Sequence, residues 1–203
     1  GGGALRGLSV VSSTQLTGQT PAGGSNGPQD VVVSSSSHGS GTCTGCFTYH
    51  SAVTWTSLTA GGLHTCGLTS GGAAYCWGFN YLGALGDGST TDRTTPVAVA
   101  GGITFTSLTA GLHTCGLTSG GAAYCWGFNS LGALGDGSTT DRTTPVAVAG
   151  GITLTSLTAG FLHTCGLTSG GAAYCWGYNV YGQVGDGSTT DRTTPVAVAG
   201  GIT

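Results

Sequence analysis

From residue 53 onward the chain alternates short apolar bursts with glycine-rich breaks. VTWTSLTA (53–60) is dense in β-branched and aromatic residues, with Val53 and Trp55 two positions apart, the period of an extended strand. LHTCGLT (63–69) and AAYCWG (73–78) follow, separated by Ser70, Gly71 and Gly72. PVAVA (96–100) predicts a fourth short strand, with Pro96, which has no N–H to donate, at its entry. A turn-rich segment, FNYLGALGDGSTTDRTT (79–95), joins the third strand to the fourth. No window carries the 3.6-residue period of an amphipathic helix.

The pattern then recurs. HTCGLTSGGAAYCWG occurs unchanged at 64–78, 113–127 and 163–177, and GDGSTTDRTTPVAVAGG at 86–102, 135–151 and 185–201. The chain therefore divides into a Gly- and Ser-rich head, 1–52, and repeats at 53–102, 103–151 and 152–203. Four short strands per repeat of about 50 residues is the signature of a propeller blade or another stacked β-repeat. A single blade cannot bury its two faces, so stacking is a requirement of the fold. The expected class is all-β: three four-stranded blades in an incomplete or intermolecularly continued propeller or solenoid. The head adds an irregular β-containing segment, with LSVVSST (8–14) and Asp30–Ser36 as strands. It is open to three readings: a donor strand for a neighbouring molecule, a degenerate blade, or a flexible leader.

A hairpin centred on Gly71 places residues whose numbers sum to 142 opposite each other. Cys66 then faces Cys76, at a cross-strand distance near that of a disulfide. The same arithmetic pairs Cys115 with Cys125 and Cys165 with Cys175. Each bridge closes a short loop and contributes roughly 2–3 kcal/mol. Tyr75 and Trp77 fall on the opposite face, as inter-blade core. In the head, Cys43 and Cys46 form a C-x-x-C with His38 and His50 on either side; a local disulfide and a metal site both fit that arrangement.

Composition narrows the function. Only 5% of the 203 residues are charged, 42 are Gly, and Lys, Glu and Met are missing altogether. With a net charge of −3 and no two adjacent basic residues, the chain lacks the electrostatics of a nucleic-acid binder. No apolar run is long enough to cross a bilayer as a helix, and no signal peptide is visible. Eight regularly spaced cysteines point to an oxidising, extracellular setting.

Candidate chemistry is sparse. His64, on the face of Cys66 and Leu68, has no partner nucleophile in view. Asp87 and Asp92, with Asp136, Asp141, Asp186 and Asp191, are weak calcium candidates, because a spacing of five is not that of an EF-hand loop. The same residues read as turn formers, with Asp92 also placed to pair with Arg93. No catalytic residue and no cofactor is expected. Loop hydroxyls such as Ser89, Thr90 and Thr91 are open to O-glycosylation.

The phrase HTCGLTSGGAAYCWGFNYLGALGDGSTTDRTTPVAV, with its H-T-C start, Tyr-Cys-Trp-Gly strand, Asn80, the Gly83/Gly86/Gly88 series and Pro96, resembles the repeat of the regulator of chromosome condensation family. It closely resembles the cysteine-paired variants of exported bacterial proteins. The resemblance covers 53–201 and leaves out the head. It implies four-stranded propeller blades, and the family generally closes a ring with seven, where this chain has three. The leading expectation is a secreted, non-enzymatic structural protein that joins head to tail with copies of itself, in a surface fibre or filament. The alternative is a binding module, part of a complete propeller that recognises a surface protein or a glycan. Small-GTPase nucleotide exchange follows from family analogy alone.

Overall fold

The structure is a computed structural model that describes residues 6–12, 15–19, 27–35, 39–49 and 53–200, with side chains from residue 53 onward. It divides into two compact units at residues 53 and 54. The first contains two antiparallel ribbons, β1 (Arg6–Ser12) with β2 (Gln15–Gln19) and β3 (Gly27–Ser35) with β4 (Gly39–Tyr49). They are separate two-stranded sheets, not a four-stranded blade. The Cys43–Cys46 reading rests on side chains, and the donor-strand reading on contacts, that lie outside those described.

The second unit is three four-stranded antiparallel sheets. The first is β5 (Trp55–Ala60), β6 (His64–Thr69), β7 (Ala74–Gly78) and β8 (Arg93–Ala98), paired in sequence order. The second is β9 (Ser107–Ala110), β10 (His113–Leu117), β11 (Ala123–Gly127) and β12 (Arg142–Ala147). The third is β13 (Ser156–Ala159), β14 (His163–Leu167), β15 (Ala173–Gly177) and β16 (Arg192–Ala197). The first strands β5, β9 and β13 lie beside one another, so the blades share an inner edge.

The hairpin register is the one the numbers dictate: Cys66 opposite Cys76, Gly67 opposite Tyr75, Leu68 opposite Ala74. Three disulfides join Cys66 to Cys76, Cys115 to Cys125 and Cys165 to Cys175 across Cα–Cα distances of 4.1 Å. The turn is the three residues expected, Ser70, Gly71 and Gly72, closed by Thr69 N–H donating to Ala73 O at 3.0 Å. Gly72, with φ of +75°, takes the left-handed position.

The fourth strand departs from expectation at its start. It begins at Arg93, so Pro96 lies within it. The ladder from β7 to β8 shifts register between the Cys76–Val97 and Gly78–Arg93 pairs. A proline is tolerated there because β8 is the edge strand and the irregularity spares its missing donor.

Each sheet has two unlike faces. One carries the disulfide, with Leu68 and Ala74; the other carries Thr65, Tyr75 and Trp77. Stacking sets the disulfide face of one blade on the aromatic face of the next. Cys66, Leu68, Ala74, Cys76 and Leu85 of the first blade enclose Phe105 and Trp126 of the second. Cys115, Leu117, Ala123, Cys125 and Leu134 enclose Leu154 and Trp176 of the third. Both tryptophans are fully buried and anchor their junctions.

Candidate interaction surfaces

Polar groups inside the junctions fix how the blades meet. His64 Nε2 lies 2.7 Å from Thr114 Oγ1 of the next blade, and that hydroxyl donates to Ala84 O at 2.9 Å. With its one proton committed to the carbonyl, Thr114 can only accept from the imidazole, so His64 is the Nε2–H tautomer. Trp126 Nε1 donates to the same carbonyl at 3.0 Å. The second junction repeats the relay through His113, Thr164 and Ala133 O, at 2.6 and 2.9 Å, while Trp176 Nε1 is buried without a partner.

Burial holds His64 down to a pKa of about 4. Burial, with repulsion from His64 and His163, lowers His113 to about 3. His113 Nδ1 is buried and unpaired, so a proton added there would find no acceptor. These imidazoles are neutral spacers in a packed seam, with no nucleophile to activate.

Close approach is enforced by glycine. A Cβ on Gly72 would come within 2.7 Å of Phe105 O, and one on Gly83 within 2.8 Å of Arg142 O, both across the junction. Cβ atoms on Gly121 and Gly132 would come within 2.8 Å of Leu154 O and Arg192 O in the second junction.

The long loop of each blade is organised by one asparagine. Asn80 is fully buried: its side-chain oxygen accepts from Leu85 N–H, its amide nitrogen reaches Asp87 Oδ1, Ser89 O and Thr91 O, and its backbone N–H donates to Asp92 Oδ1 at 2.7 Å. Asn129 and Asn179 do the same. The aspartates weighed as calcium ligands are therefore parts of this clasp. Asp87, Asp136 and Asp186 pair with Arg93, Arg142 and Arg192, while Asp92, Asp141 and Asp191 hold the asparagine backbone. Arg93 pairs with Asp87, six residues back, and not with its neighbour Asp92. Hydrogen bonds from Ser188, then Arg192, set against the cost of burial, lower Asp186 to about 2. Asp87 and Asp136 are lowered too; burial opposes the shift, and bonds from Ser, Arg and Asn outweigh it. Among the described residues, no three His, Cys, Asp or Glu side chains gather as a metal site.

Among the described residues, two surfaces stand out as apolar and open. One is the end of the blades where the β5–β6 loop meets the β7–β8 loop, joined by Phe79 N–H to Leu63 O, and in the third blade by Tyr178 N–H to Leu162 O, both at 3.0 Å. Leu63, Phe79 and Tyr81 of the first blade, and Phe161, Val180 and Tyr181 of the third, are exposed there. The repeats differ at this end: Tyr81 becomes Ser130 and Val180, Leu82 becomes Leu131 and Tyr181, and Phe161 stands where the second repeat has no residue. The pattern was on the page in the sequence, as differences among otherwise matching units, but carried no weight without the loops' positions. The other open surface is the disulfide face of the third blade, where Leu167 is 45% exposed against 2% and 4% for Leu68 and Leu117.

No curated protein matches the chain. Among solved structures it is similar to human WBSCR16, at 19% identity and a TM-score of 0.65 over 73% of this chain and 38% of that one. It is also similar to Prp20p from Saccharomyces cerevisiae, at 22% identity and a TM-score of 0.63 over 72% and 39%. The chain thus spans under two fifths of either relative's length. Both likenesses are of fold. The regulator of chromosome condensation (RCC1) repeat matches 71–117, 120–167 and 170–202, and a second form of that repeat matches 55–84 and 154–183. The matches at 71–117 and 120–167 each run from one hairpin turn into the next blade, the third lies within the last blade, and on that recurrence the chain belongs to the RCC1 repeat family.

Proposed function

We propose that this protein is a non-enzymatic, extracellular scaffold that binds other proteins through the loop end of its blades. The observation that carries this reading is the coincidence of exposure and variation. Repeats that match almost everywhere else diverge where Tyr81, Phe161, Val180 and Tyr181 stand in solvent. Tyrosine, serine, asparagine and glycine in rigidly based loops are the composition of a protein-recognition surface: large aromatic contact area at low entropy cost, with adaptable polar neighbours. Protein partners accord with the fold's use elsewhere, since Prp20p is described with its binding to Gsp1p and histones. The three disulfides support an oxidising compartment.

The test is a triple variant, Tyr81→Ala, Phe161→Ala, Tyr181→Ala. These side chains contribute little to the core, so its melting temperature stays that of the parent. Proteins crosslinked to the immobilised parent in its native extracellular milieu should be lost from the variant. Equal recovery by both would overturn the loop end as the binding surface. A second reading, head-to-tail association as a surface filament, is favoured by a separate observation, the uncovered face of the third blade.

A further inference from the structure

The geometry points to a specific occupant for that face: the aromatic side of the first blade of a second copy of this chain, which continues the seam already formed twice within one molecule. The inference rests on the head-to-tail reading and names its contacts.

The open face is built as the covered ones are. His163, Cys165, Leu167, Ala173 and Cys175 repeat the residues that receive a neighbour in blades one and two. Three of them, Cys165, Leu167 and Ala173, border a hollow of about 260 Å³ together with Leu157. His163 has no counterpart of Thr114 or Thr164 against it among the described residues. Gly171, the equivalent of Gly72 and Gly121, would meet nothing within 4 Å if it carried a Cβ, and Gly182 would meet only Ser188 O at 3.9 Å. Clearance that the next blade fills elsewhere is here unfilled.

The matching side is carried by the first blade. Thr65, Tyr75 and Trp77 hold the register positions of Thr114, Tyr124 and Trp126. All three are only partly buried, whereas Thr114 and Trp126 are fully so. Thr65 therefore supplies the hydroxyl that His163 lacks, and Gln183 O supplies the carbonyl that Ala84 and Ala133 supply within the chain. Size also matches. The residue entering the seam is Phe105 in the first junction, Leu154 in the second, and Trp55 in the proposed one. Leu85 and Leu134 on the receiving side give way to Val184 on the third blade. The largest entering side chain meets the smallest receiving one at this position, beside which Gln183 stands in place of Ala84 and Ala133.

Because the two faces differ, the contact is heterologous and propagates to a ring or a filament. Sedimentation of the full disulfide-bonded chain tests it. The parent should run at multiples of the monomer mass. Leu167→Asp and Trp55→Asp should each be monomeric, and an equimolar mixture of the two should stop at dimers, since one variant keeps a sound aromatic side and the other a sound disulfide side. Misfolded variants would not complement each other in this way. A monomeric parent, a Leu167→Asp variant with the parent's mass, or a mixture that stays monomeric would each overturn the proposal. The Tyr81, Phe161 and Tyr181 triple variant should assemble as the parent does, which separates this seam from the loop-end surface.

Discussion

Strands β10 and β14 have the same five residues, His-Thr-Cys-Gly-Leu, in the same place in their blades. All five are buried in β10 and only two in β14. Among the described residues, the second blade has a neighbour against its disulfide face and the third has none. The environment of a side chain in this fold is thus set by stacking and not by the blade's own sequence, as nearest-neighbour energetics in repeat proteins leads one to expect.

That comparison can be broken most sharply by packing. Leu117→Ala empties a filled seam and should cost about 2–5 kcal/mol. Leu167→Ala should cost under about 1 kcal/mol in the separated chain, because the side chain is half in water already. Denaturant unfolding of the two variants under monomeric conditions checks this; equal losses would mean that the third blade is covered in solution.

A smaller effect should not distinguish the blades. Replacing Cys115 and Cys125 together with alanine, or Cys165 and Cys175, removes a cross-link over the same separation of ten residues. The chain-entropy contribution, roughly 2–3 kcal/mol, is therefore the same for both. Any excess loss at the second blade measures its buried packing.

Acid gives a graded probe that needs no substitution. His64 and His113 have folded-state pKa values of about 4 and about 3, below the ordinary 6.5. The unfolded chain binds more protons between those limits, so stability is complete above about pH 6.5 and declines as pH falls toward 4 and 3. The slope approaches about 1.4 kcal/mol per pH unit for each histidine. The aspartates of the clasps, also lowered, add their loss only below their ordinary 3.8. Melting temperatures should fall from pH 6.5 downward, and His113→Gln should flatten the upper part of that decline.

The hairpin and its disulfide were legible because both depend on residues ten apart, where strand geometry leaves one answer. The seam was not. Thr114 meets His64 across fifty residues, and the group that joins them, Ala84 O, is a backbone carbonyl with no signature in sequence. The clasp was half legible: Asp87, Asp92 and Arg93 stood out as charges, but their pairing depends on Asn80, whose burial no local pattern announces. Arg93 also starts the fourth strand earlier than Pro96 implies, because an edge strand tolerates a missing donor that a central strand does not.

The backbone acceptor at Ala84 has a longer reach. The atom that receives both Thr114 and Trp126 belongs to the main chain, so no substitution at 84 deletes it; what the position restricts is size, because Ala84 and Ala133 are buried against the next blade. A repeat array joined in this way keeps its hydrogen bonds through sequence drift and is vulnerable instead to bulk at the joints.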